Sequence, residues 1–124
     1  MSNIRHTVVI RKDLNMTEGL IAAQVAHISD AFMREKIRDD IEFSNEELEW
    51  MKDPYISVLA VDNAEELWHI IKEAEDADIP VHSWRDLLPS KNLNRNIPDV
   101  LVGCSIGPAD HDQVKAITDT LPLA

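Results

Sequence analysis

The sequence predicts an α/β fold with helices on both faces of a small four-stranded sheet. Three observations carry that expectation. Runs of strand length, rich in β-branched or apolar residues, occur at Ile4–Ile10, Tyr55–Val61, Pro80–Trp84 and Val100–Ile106. Between them lie stretches with apolar residues three and four apart, each opened by a side chain able to cap a helix. The order strand, helix, short helix, strand, helix, strand, loop, strand, helix sets those helices against both sides of the sheet. With 124 residues and 44% hydrophobic content, the chain reads as one domain, 1–124, with a single core.

Strand one takes Ile4–Ile10, with His6 expected as a polar residue at a strand edge. The polar turn Arg11–Gly19 offers two caps: Asn15, with Glu18 three residues on, or Thr17, which starts the helix later. The helix runs from about Glu18 to Arg38. Ile21, Val25, Ile28 and Phe32 share one face, and Ala22, Ala23 and Ala26 are expected to let it approach the sheet closely. Gln24 and His27, three apart, are neighbours on one side.

Ser44–Met51 reads as a short helix capped by Ser44 or Asn45, with Glu46, Glu47 and Glu49 near its positive end. Leu48, Trp50 and Met51 supply its apolar contacts, and Asp53-Pro54 ends it. After strand two, Asn63 caps a helix with Glu66 at the capping-box position, and Leu67, Ile70, Ile71 and Ala74 form its buried stripe. His69 belongs to that helix's solvated face. Pro80 marks the third strand as an edge, with His82 at the surface or sheet edge. Asp86–Asp99 has no period and holds Pro89, Pro98 and three asparagines; it reads as a long loop of functional or mobile character. Gly107-Pro108 closes the fourth strand. Asp110 caps a last helix whose Val114, Ile117 and Leu121 face inward.

The net charge of −11 argues against a broad nucleic-acid surface, because acidic chains repel phosphate at long range. The charge is unevenly spread, however. Asp39–Asp53 and Asp62–Asp78 hold well over half of the 23 acids, against two lysines, Lys52 and Lys72. Arg11, Lys12, Arg85, Lys91 and Arg95 lie in the first turn and the 85–95 segment, which form one cationic patch if they meet. The single cysteine, Cys104, excludes an internal disulfide framework. Neither a signal peptide nor a membrane span is read, so the expected compartment is the cytoplasm.

Asp110-His111-Asp112 reads as helix capping rather than a metal site, and no H-x-x-x-H or C-x-x-C spacing exists for zinc. With three glycines and no phosphate-loop pattern, no cofactor is expected.

Val8–His27, V-V-I-R-K-D-L-N-M-T-E-G-L-I-A-A-Q-V-A-H, resembles the opening of the type 2 peptidyl-tRNA hydrolases. That family reads, in outline, V-V-R-x-D-L-x-M-S-x-G-K-x-A-A-Q-x-x-H. Arg11, Asp13, Leu14, Met16, Gly19, Ala22, Ala23, Gln24 and His27 fall in step with it. The segment from Val100, V-L-V-G-C-S-I-G-P, is similar to the family's T-V-L-A-I-G-P, and the following helix to its I-T-G-x-L-x-L.

The resemblance implies a three-layer α/β/α sandwich around a mixed sheet, a homodimer, and the tRNA acceptor end as partner. Its reaction is hydrolysis of the ester joining a peptide to the 3′ ribose of tRNA. Carried over residue by residue, it makes Asp86 and Ser90 the catalytic pair. Arg11, Lys12, Gly19, Gln24, His27, Arg85 and Lys91 become the substrate-binding set. The pattern departs at three places. The family's lysine after the glycine is Leu20, Leu88-Pro89 stand for its G-R, and its second threonine is Val102. Lys12, Arg85 or Lys91 is then expected to supply the missing cation. Two alternatives stay open: an interaction module that kept the fold without the reaction, and a hydrolase of small esters.

Overall fold

A computed structural model describes residues 2–90 and 94–124, with Ser90 described by its backbone only. The elements are β1 (Ile4–Arg11), α1 (Glu18–Arg38), α2 (Asn45–Lys52), β2 (Ile56–Val61) and α3 (Ala64–Asp76), then β3 (Val81–Ser90), β4 (Arg95–Asp110) and α4 (His111–Thr118). The strands lie in the order β2-β1-β4-β3. β1 and β2 are parallel; β1 with β4, and β3 with β4, are antiparallel. The sheet is mixed, as the resemblance implies.

Side chains of β1 alternate between two cores, as the period of a strand requires. Val9 joins Val61, Leu67, Ile70, Ile71, Cys104 and Val114 beneath α3 and α4. Ile4 packs with Phe32 and Trp50, while Val8 and Ile10 pack with Ile28, beneath α1 and α2. The two helical layers therefore enclose the sheet, giving the α/β/α sandwich. No described helix is long and apolar enough to cross a membrane.

Local chemistry explains the helix starts. Thr17, not Asn15, caps α1, its hydroxyl accepting from the Leu20 N–H at 3.3 Å. Asn15 instead takes a left-handed conformation, φ 50°, in the turn before it. Ser44 and Glu47 form a reciprocal capping box at α2. Replacing Ser44 with alanine is expected to cost about 1 kcal/mol, read as a lower urea midpoint at unchanged slope. Asn63 and Asp110 cap α3 and α4, and Asp110 accepts from the Asp112 N–H at 3.2 Å.

Four expectations need correction. His6 is not at an edge: β1 is an inner strand, and His6 is fully buried between Phe32 and Trp50. Ala22, Ala23 and Ala26 are exposed, so they do not bring α1 onto the sheet. Close approach comes from Gly103 of β4, where an added Cβ would lie 3.0 Å from Ile28 Cδ1 and 2.4 Å from the Val9 carbonyl oxygen. Leu48 is 44% exposed and adds little to α2's packing.

The fourth correction matters most for the site. The described residues of the 86–99 segment are not a loop but strand: 86–90 and 95–99 pair as two arms, with Leu88 opposite Ile97, Pro89 opposite Asn96 and Ser90 opposite Arg95, while residues 91–93 lie outside the described residues. Register shifts between Trp84 and Arg85, and between Asp86 and Leu88, erase the alternation that would mark a strand. Pro89 is tolerated because β3 is an edge strand. At the opposite edge, the Ala60 N–H donates to the Pro122 carbonyl and the Ala124 N–H to the Val58 carbonyl, each at 3.0 Å.

Candidate active site

Gln24 sets the geometry. It is buried on the sheet-facing side of α1, and both ends of its amide are used. Nε2 donates to Oδ2 of Asp86 at 2.9 Å, and Oε1 accepts from the Trp84 indole N–H at 2.8 Å. A carboxylate accepts only and an indole donates only, so this pairing fixes which way the amide points. The other carboxylate oxygen of Asp86 accepts from the Leu87 N–H at 2.7 Å. The Gln24 hydrogen bond, then the Leu87 N–H, hold the Asp86 carboxyl below the usual carboxylate range; partial burial opposes them, and a protonated His27 adds to them.

A second layer rests on Trp84. The His27 ring stacks on it with centroids 5.3 Å apart and planes inclined by 17°. The Arg34 guanidinium lies 5.4 Å from the indole centroid and donates to the His27 carbonyl at 2.6 Å. On the far side of Asp86, a cleft of about 520 Å³ opens between the turn before α1 and the paired arms of β3 and β4; Leu14, Met16, Leu20, Leu88, Ile97 and Val100 line it. Val100 is the cross-strand partner of Asp86.

The structure thus brings Gln24, His27 and Asp86 together on the α1 side of the sheet, and sets Arg11 and Arg85 on the other side. Arg11 is a clamp: Nε and Nη2 engage the Asp13 carboxylate at 3.0 and 2.8 Å, and Nη1 donates to the Leu101 carbonyl at 2.9 Å. Lys12 reaches toward Asp62, 4.0 Å away. Arg85 lies over Trp68 of α3, across the sheet from the Gln24 cluster. Gly19 is exposed in the first turn of α1, with nothing within 4 Å of an added Cβ. Lys91 and the Ser90 side chain lie outside the described residues.

Of the expected cationic patch, Arg11 and Arg85 both stand against Leu101 of β4 on the α3 side of the sheet, Arg11 donating to its carbonyl and Arg85 pairing with it across the strands. Arg11, Lys12 and Arg85 each face a different carboxylate or aromatic partner. Two contributors went unassigned from sequence, Trp84 and Arg34. Arg34 stands seven residues after His27, two helical turns along the same face, and that spacing is the signal that would have found it.

A larger groove, about 1090 Å³, lies beside α3 and α4 and includes Asp62, Glu65, Glu66, Glu73 and Asp119. That much negative charge disfavours phosphate. Among the described residues no three His, Cys, Asp or Glu side chains gather as a metal set. Cys104 is buried, and burial pushes its thiol up to about 12, which excludes a thiolate nucleophile at neutral pH.

Comparison with known proteins follows the same lines. A family model described as Peptidyl-tRNA hydrolase PTH2 matches residues 4–124. The chain is 31% identical to a peptidyl-tRNA hydrolase of Methanothermobacter thermautotrophicus, over 97% of this chain and 99% of that one. It is likewise 31% identical to one of Methanopyrus kandleri, over 96% and 97% of the two chains. A third, from Thermococcus onnurineus, is 28% identical over 99% of both. With its mixed sheet, its matched opening motif and this coverage, the chain belongs to the PTH2 family of peptidyl-tRNA hydrolases.

Proposed function

We propose that this chain hydrolyses the ester joining a peptidyl or aminoacyl group to the 3′ ribose of tRNA. The observation that carries this reading is the carboxylate of Asp86, fixed by Gln24 and Leu87 beside the stacked His27 and Trp84. Water adds to the ester carbonyl, the bond to the 3′ oxygen breaks, and that oxygen takes a proton. A carboxylate held below its usual range is a weak base, so Asp86 orients the water by accepting its hydrogen bond. His27 takes the proton as the C–O bond forms and passes it to the departing 3′ oxygen.

Trp84 and His27 offer a stacking platform for the terminal base, and Arg34 a cation for the adjoining phosphate. Gly19 leaves backbone open to the acceptor end. Ser90, four residues beyond Asp86, keeps its catalytic assignment from sequence alone, as Lys91 keeps its binding one. A tRNA ester as substrate is what supports a cytoplasmic setting. A homodimer rests on the family resemblance and is read directly by sedimentation equilibrium.

Single-turnover hydrolysis of N-acetyl-aminoacyl-tRNA tests the reaction, with release of free tRNA expected in excess of the spontaneous rate. Unchanged tRNA at saturating protein defeats the reading. Leu20 and the acidic groove favour a second one, a module that binds the acceptor end without turnover; a stoichiometric tRNA complex with no cleavage is its signature. Under either reading Arg34→Ala weakens tRNA binding and lowers the slope of log affinity against log salt by about one. Filter binding over a potassium chloride series measures both.

A further inference from the structure

We propose that the cleft at Leu20 is the pocket for the apolar side chain of the amino acid esterified to tRNA, and that Leu20 makes the chain selective for bulky aliphatic or aromatic residues there. This rests on the ester-hydrolase reading above and names which esters it favours.

Three observations support it. The first is position. Along β3, Trp84, Asp86 and Leu88 follow one another, Trp84 touching α1, Asp86 bonded to Gln24 and Leu88 lining the cleft. Leu20 sits one helical turn before Gln24, so the cleft opens immediately beyond the carboxylate. An ester with its sugar on the Trp84 side and its carbonyl at Asp86 projects its acyl group into that cleft.

The second is chemistry. The polar groups at the rim are already engaged: Asp13 by Arg11, the Asn15 amide by the Asp13 carbonyl, and Thr17 by the Leu20 N–H. The remaining described lining is aliphatic, thioether or proline, with no aromatic ring, and the Asn15 amide already spends one N–H on the Asp13 carbonyl. A nucleobase there would lose hydrogen bonds from its edge and gain no stacking partner, whereas an aliphatic or aromatic side chain loses nothing. A volume of about 520 Å³ admits one such side chain with its neighbouring backbone.

The third is charge. Leu20 stands one residue after Gly19 at the exposed start of α1, where a lysine would carry its ammonium to the same rim. Leucine turns that rim apolar. Burial of each additional methylene then gives roughly 10-fold or more in selectivity between substrates.

The test compares N-acetyl-leucyl-, N-acetyl-phenylalanyl- and N-acetyl-glycyl-tRNA as substrates of the full chain and of Leu20→Ser. The matching 3′-amide-linked adenosine analogues, which are not cleaved, are titrated calorimetrically. The proposal expects the leucyl and phenylalanyl esters to exceed the glycyl ester at least 10-fold in kcat/KM. It expects that ratio to fall below about threefold in Leu20→Ser.

Equal cleavage of all three esters overturns the cleft assignment and leaves the hydrolase reading intact. Selective binding of the leucyl amide without cleavage of any ester upholds the cleft and removes the hydrolase. Weakening of deacylated adenosine by Leu20→Ser, as large as that of the acyl analogues, assigns the cleft to the base and overturns the proposal.

Discussion

Asp86→Ala is expected to lower single-turnover hydrolysis of peptidyl-tRNA by about 100-fold or more, the scale of loss when a reacting group is left unpositioned. The side chain does two things at once in this site. In the proposed reaction it presents an ionised acceptor to the attacking water, and through Gln24 it holds the Trp84 indole beneath His27. Asp86→Asn does not separate the two effects. Both carboxylate oxygens of Asp86 face donors, so asparagine must turn its NH₂ toward either Leu87 or Gln24. It therefore disturbs the network as well as removing charge, and its rate should lie near that of alanine. Asp86 is partly exposed, so thermal midpoints of both variants should stay within a few degrees of the parent. A variant that folds and retains most of the rate would remove Asp86 from the mechanism.

The second large effect is on stability. Folded protein should lose about 3 kcal/mol between pH 6.5 and pH 4 through His6, because burial lowers its pKa from 6.5 to about 4. The Nε2–H donates to the Ser29 carbonyl at 3.0 Å, which leaves Nδ1 as the unprotonated nitrogen, buried and without a partner. Charging the ring puts a second N–H where no acceptor waits. Desolvation is the main cause and nearby His82 adds to it; the Ser29 bond, Asp30 and Glu47 act the other way.

The unfolded chain takes up this proton near pH 6.5 and the folded chain only near pH 4, so acid favours the unfolded state across that window. Urea unfolding at half-unit pH steps measures the slope, and His6→Met should flatten it. Glu47 contributes in a lower window. The Lys36 and Ser44 hydrogen bonds outweigh its burial and hold it below its usual range, so its stabilisation is lost only as pH falls under about 4.5.

His6 also shows how far the sequence could be read. Ile4, His6, Val8 and Ile10 occupy alternate positions, so the strand's own period places His6 in the core file. A polar residue near the start of a strand invites the edge assignment, and only the strand order shows β1 to be internal. Helix limits and caps were legible because capping is a local exchange between a side chain and an N–H three residues away. The alanines of α1 were not, since an alanine says nothing about which way it faces. Its partner in close packing, Gly103, lies 75 positions or more along the chain.

The site divides in the same way. Gln24, His27 and Asp86 were identifiable, the first two by their helical spacing and family match, the third by resemblance. That they meet at Trp84 depends on bulges in β3, which leave no periodic trace. Charge along a chain does not record which face of a sheet each residue takes. Arg85 and Asp86 are adjacent in sequence and contact opposite helical layers.

The short bridge between Leu59 and Leu123 bears on how copies of the chain behave when crowded. A bare sheet margin is a template onto which a stranger's strand can zip, and fibrils grow from such margins. Here one margin is shielded by residues 122–124 of the chain itself, and the other is bent by two bulges and interrupted by Pro89. Shaving off those three residues would uncover β2, and its first symptom should be concentration-dependent light scattering, ahead of any loss of catalysis.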